Sequence, residues 1–65
     1  MAEKIVAALK KSPKLLKSAR GKAKEGKDAF DTWMGNQNIL VRAAYWAADG
    51  YVQSEVIDLL ASMVS

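Results

Sequence analysis

Ser12-Pro13-Lys-Leu-Leu-Lys-Ser-Ala-Arg-Gly-Lys-Ala-Lys-Glu-Gly-Lys-Asp-Ala-Phe-Asp-Thr-Trp-Met34 is the stretch on which the fold turns. Leu15 and Leu16 open it, and Phe30, Trp33 and Met34 close it. No large apolar residue lies between them. A three- and four-residue spacing nevertheless runs through Leu16, Ala19, Ala23, Gly26, Phe30 and Trp33, which is the period of one helix face. That face is narrow in its middle, so another helix can approach closely there. Gly21 and Gly26 each cost roughly 1 kcal/mol relative to Ala inside a helix. The stretch therefore reads as a helix beginning at Pro13, with a break or fraying near Gly21 or Gly26. One continuous helix from Pro13 to Met34 is the alternative.

Working outward, Ser12-Pro13 is a strong boundary. Proline disfavours a helical residue before it and fits the first turn of a new helix. Ser12 suits the N-cap. Upstream, Ala2 to Lys11 reads as a short helix with Ile5, Val6 and Leu9 on one stripe. Downstream, Gly35-Asn36-Gln37-Asn38 is a turn by composition. Gly35 suits a left-handed helix end, and Asn36 or Asn38 suits the next cap. Ile39 to Ala48 is a helix that is apolar nearly all round, which marks it as central. Asp49-Gly50 stops it. A last helix starts at Gln53 or Ser54, with Ser54 as a cap, and reaches Met63 or Val64. Val52, Val56, Leu59, Leu60 and Met63 form its stripe, widened by Ile57 and Val64. The fold class is all-α: a compact bundle of four short helices in a single helical domain, 1–65.

The chain of 65 residues is 51% hydrophobic and 26% charged, a globular composition. It holds no Cys and no His. Disulfides, the usual zinc sites, thiol chemistry and His-based catalysis are thereby excluded. Asp28 with Asp31, and Glu55 with Asp58, are paired carboxylates at helical spacing. They read as solvated surface or partners of helix N-termini, since a hard cation such as Ca²⁺ wants six to eight oxygens. The glycines form no phosphate-binding loop. No catalytic residue, metal site or cofactor is expected, and the chain does not read as an enzyme. The opening apolar run, Ile5 to Leu9, is shorter than a signal-peptide core. No stretch approaches the roughly 20 apolar residues that span a bilayer.

Charge divides the chain in two. Residues 1–27 hold nine of the ten basic residues and two acids, a balance of +7, while residues 28–65 balance at −4. Lys10, Lys11, Lys14, Lys17, Arg20, Lys22, Lys24 and Lys27 make a dense cationic stretch, much of it at three- and four-residue spacing. An unbroken helix would gather Lys10, Lys14, Lys17, Arg20, Lys24 and Lys27 on one broad face. Such a density implies an anionic partner, whether phosphate backbone, anionic lipid or an acidic protein, and solvated helix faces are the other reading of the same lysines. Each basic residue near an anionic bilayer is worth about 1 kcal/mol. Trp33 and Trp46 suit a lipid–water boundary, and with Phe30 they are the candidate inserting side chains. Packing into a small core is the other role open to these rings.

Lys4-Ile-Val-Ala-Ala-Leu-Lys-Lys-Ser-Pro-Lys-Leu-Leu-Lys-Ser-Ala19 resembles the opening of the leaderless class II bacteriocins of the aureocin and lacticin type. Gly26-Lys-Asp-Ala-Phe-Asp-Thr-Trp-Met34 is similar to their Gly-Lys-apolar-x-x-Trp-Leu segment. Asp49-Gly50 followed by Val56-Ile-Asp-Leu-Leu60 is similar to their Gly-led final helix. In this order the resemblance covers most of the chain. It departs in length, in having two tryptophans, and in a C-terminal half whose only basic residue is Arg42.

The resemblance implies a saposin-like four-helix bundle without disulfides. It implies a cationic antimicrobial protein, secreted without a cleaved signal peptide by a dedicated exporter, that binds and permeabilises the anionic lipid membrane of target bacteria. Two other readings stand beside it. One is a small cytoplasmic nucleic-acid-binding or regulatory protein using the basic half. The other is a protein–protein interaction module, self-associating through its oppositely charged halves.

Overall fold

A computed structural model describes residues 2–63. Five α-helices form among the described residues: α1 (Ala2–Leu9), α2 (Pro13–Glu25), α3 (Lys27–Met34), α4 (Ile39–Ala47) and α5 (Gly50–Ser62). No strand occurs among them. The body measures 28 × 20 × 20 Å.

The Ser12-Pro13 boundary is built as expected. The Ser12 hydroxyl accepts from the Leu15 N–H at 3.4 Å, and Pro13 occupies the first turn of α2. The four-helix expectation needs correction, because the second stretch is two helices. Gly26 takes φ +115°, a region open to Gly and strained for other residues. Its N–H reaches back to the Ala23 carbonyl at 3.3 Å, and its own carbonyl accepts from Phe30 at 3.0 Å. Gly26 thus ends α2 and begins α3. Gly21 stays helical, so the break falls at the second of the two glycines.

α2 packs chiefly against α5 and α3, and α1 lies across α5, α4 and α2. Ala19 and Ala23 are buried on the inner face of α2, so the narrow seam is where neighbouring backbones approach. Leu9, Phe30, Met34, Tyr45, Val56 and Leu60 are the largest fully buried side chains. Phe30 sits among rings, with its centroid 5.4 Å from Tyr45 and 5.5 Å from Trp33. Offset and tilted pairs at such distances are favourable beyond area burial alone.

Three local expectations are also corrected. Gly35 is right-handed at φ −60°, because the turn continues helically, with Asn36 and Gln37 donating to the Trp33 and Met34 carbonyls. The start of α5 lies at Gly50, and its cap is Asp49, not Ser54: the Asp49 carboxylate accepts from the Val52 N–H at 2.9 Å. Asp49 is itself a strong capping residue, so Asp49-Gly50 opens a helix as well as closing one. Asn38 caps α4 by accepting from Leu40 N–H at 2.8 Å, one of the two expected choices. Val64 lies outside the described residues.

The expectation of a central helix at 39–48 is overturned. Tyr45 is the single fully buried large side chain of α4, and Val41 is half-buried. α4 covers one side of the core through Tyr45 and turns the rest of its surface to solvent.

Candidate functional site

The outer face of α4 follows from helix geometry. At 100° per residue, Tyr45 faces inward with Val41 and Arg42 on its flanks. Ile39, Leu40, Ala43, Ala44, Trp46 and Ala47 fill the remaining arc, and all six are exposed. Ile39 is 66% exposed, Leu40 79% and Trp46 47%. Tyr51, just beyond on α5, is 80% exposed. No charged side chain interrupts the arc. Contiguous apolar surface of this kind on a small protein marks an interaction site.

Polar contacts hold this helix to the body. The Tyr45 hydroxyl donates to Asp31 Oδ1 at 2.7 Å. Gln53 is buried, and its amide donates to the carbonyls of Tyr45 at 3.1 Å and Ala48 at 3.2 Å. Arg42 donates to the Gly35 carbonyl at 3.1 Å. The last carbonyls of a helix lack partners within it, and Gln53 supplies them from α5. Burial first, and the Asp31 carboxylate second, push the Tyr45 phenol well above its ordinary value.

The basic residues divide by environment. Lys14, Lys17 and Lys24 share the outward strip of α2, directly opposite Ala19 and Ala23, and are exposed. Lys10 and Lys11 are exposed in the α1–α2 turn. Lys22 lies 3.6 Å from Glu25, a solvent-facing pair of little energetic weight. Two of the expected cations take partners within the fold. Arg20 donates to the Met63 carbonyl at 2.7 Å. Lys27 binds Asp31 Oδ2 at 2.7 Å and Gln53 at 3.2 Å. The single broad face expected from an unbroken helix over 10–27 is therefore interrupted, by the turn at Ser12 and by the break at Gly26.

The aromatic candidates also separate. Phe30 is fully buried and serves the core. Trp33 is half-buried against Phe30. Trp46 is exposed and edge-on to Tyr45, with centroids 5.1 Å apart. The start of α2 lies near the segment that leads into α4. Lys14 lines the same shallow concavity as Trp33 and Gln37, and Gln37 is two residues before Ile39. Two residues span at most about 7 Å of chain. A groove of about 400 Å³ between α1 and the end of α5 has Val6, Ala7, Leu59 and Met63 along it, with Lys10 and Glu3 also on its lining.

Ile39, Leu40 and Tyr51 were not singled out by sequence reasoning as exposed contact residues. The available signal was the uncharged run from Ile39 to Trp46 broken only by Arg42, which reads equally as buried. Among the described residues no cluster of three or more metal-ligating side chains gathers, and no helix is long and apolar enough to cross a membrane. Comparison with protein families, with curated proteins and with solved structures finds no match for this chain.

Proposed function

We propose that this chain is a membrane-active antimicrobial protein that binds anionic bacterial bilayers and permeabilises them. The observation that carries the reading is the uncharged, exposed outer face of α4, with Trp46 on it, in a molecule that also exposes Lys10, Lys11, Lys14, Lys17 and Lys24. Lys10, Lys11, Lys14, Lys17 and Lys24 bring the protein to anionic headgroups, each at about 1 kcal/mol. Ile39, Leu40 and Trp46 then enter the boundary of headgroups and acyl chains, where an amphipathic helix lies in the plane of the interface. This first step leaves the core intact, with Phe30 and Leu60 still inside. The inserted helix wedges the outer leaflet apart and leakage follows.

The reading includes the class suggested by sequence resemblance, a leaderless class II bacteriocin released through a dedicated exporter. In that view the five helices are a saposin-like bundle whose second helix is divided at Gly26. Dye leakage from vesicles tests the function. Purified protein is expected to empty anionic vesicles at low protein-to-lipid ratio and zwitterionic ones far less. Intact anionic vesicles at high dose would overturn the permeabilising step.

A further inference from the structure

The outer face of α4 has a second property, which concerns the protein in water without lipid. Ile39, Ala43 and Ala47 are spaced by four residues and form one ridge along the exposed side. Ridges of this spacing pack into one another at helix crossings. The ridge is small at its centre and bulky at one end. It is therefore self-complementary about Ala43 when turned end for end. Ile39 of one copy then lies beside Ala47 of the other, and the two Ala43 side chains meet at the axis.

Charge selects the same direction. Lys14 lines one shallow concavity with Gln37, just before the N-terminal end of α4, and that end also carries the positive end of the helix dipole. Asp49 follows its C-terminal end. An antiparallel pair sets the basic end of one copy against the acidic end of the other, whereas a parallel pair stacks like ends. We infer that, in water, two copies of this chain pair through α4 in an antiparallel two-fold arrangement centred on Ala43. Such an interface is isologous and closes on itself. It covers Ile39, Leu40 and Trp46 until a bilayer competes for them.

Sedimentation equilibrium over a dilution series, together with cysteine cross-linking, tests this without any lipid. The chain has no Cys, so each introduced thiol reports one position. Under oxidised glutathione, Ala43→Cys is expected to give a disulfide-linked dimer rapidly. Ile39→Cys is expected to give little, because four residues of rise on each helix separate the two thiols by about 12 Å, beyond disulfide reach. Ala43→Glu places two carboxylates at the axis and is expected to yield a monomer with unchanged helical circular dichroism. A monomer at every concentration, equal cross-linking at 39 and 43, or a dimer that survives Ala43→Glu would each overturn the pairing. Because no lipid is present, those outcomes are separate from failure of the membrane reading, which the vesicle experiment decides.

Discussion

The Tyr45 hydroxyl and Lys27 share one carboxylate. Tyr45 donates to Oδ1 of Asp31 and Lys27 to Oδ2, each at 2.7 Å. Lys27 continues to Gln53, whose amide holds the end of α4. A short polar chain thus ties α3, α4 and α5 together on the flank of an apolar core. Tyr45→Phe keeps the ring and removes the donor. A hydrogen bond to a charged group contributes about 1.5–3 kcal/mol, so a loss of about 2 kcal/mol is expected in urea denaturation. In a domain of this size each kcal/mol lowers Tm by about 4–8 °C.

The same bond fixes an alkaline dependence. Burial and Asp31 raise the Tyr45 phenol in the folded state, so folding favours the protonated form. Its contribution to stability is complete below the unfolded value of about 10 and declines as pH climbs above that. Unfolding free energy measured from neutral to alkaline pH is expected to fall more steeply in the wild-type protein than in Tyr45→Phe. Parallel slopes would remove Tyr45 from the account.

The two glycines of the long basic stretch are expected to respond with opposite sign. Gly26 has φ +115° and no neighbour within 4 Å of an added Cβ, so Gly26→Ala costs only backbone strain, about 1–3 kcal/mol of stability. Gly21 lies inside α2 with open space around it. Gly21→Ala is expected to stabilise by up to about 1 kcal/mol. Urea midpoints of the two variants test the placement of the break directly.

The outward lysines are expected to act additively on lipid. Replacing Lys14, Lys17 and Lys24 with Gln removes about 3 kcal/mol of attraction at about 1 kcal/mol each. Partitioning onto anionic vesicles should fall roughly a hundredfold, with little change on zwitterionic ones. Arg20 ties α2 to the end of α5 through the Met63 carbonyl, so Arg20→Gln should lower the urea midpoint as well. Equal affinity of the triple variant for anionic vesicles would sink the electrostatic step.

These contrasts show where the sequence is readable. Local signals carried over well: Ser12-Pro13 and Asn38 act through neighbours a few residues away. Asp49-Gly50 misled because the same dipeptide ends one helix and caps the next, and only chain geometry assigns both roles. The position of α4 was the larger miss. A helix apolar all round is normally buried, but burial requires other elements to cover it. Here only the Tyr45 side of α4 is covered, and nothing in the sequence of α4 itself records that its other side stays exposed. Lys27 was half legible, since Asp31 is its i,i+4 neighbour on α3 while Gln53 comes within reach only once α3 and α5 pack.

The most direct test of the central claim is the fluorescence of Trp46 alone, in a Trp33→Phe protein, titrated with vesicles. The account predicts a blue shift and protection from aqueous quenchers on anionic vesicles, at lipid concentrations that leave zwitterionic vesicles without effect. The helical circular dichroism should remain that of the folded bundle. An unchanged emission maximum and undiminished quenching at saturating anionic lipid would contradict the claim that the outer face of α4 is the membrane-contacting surface.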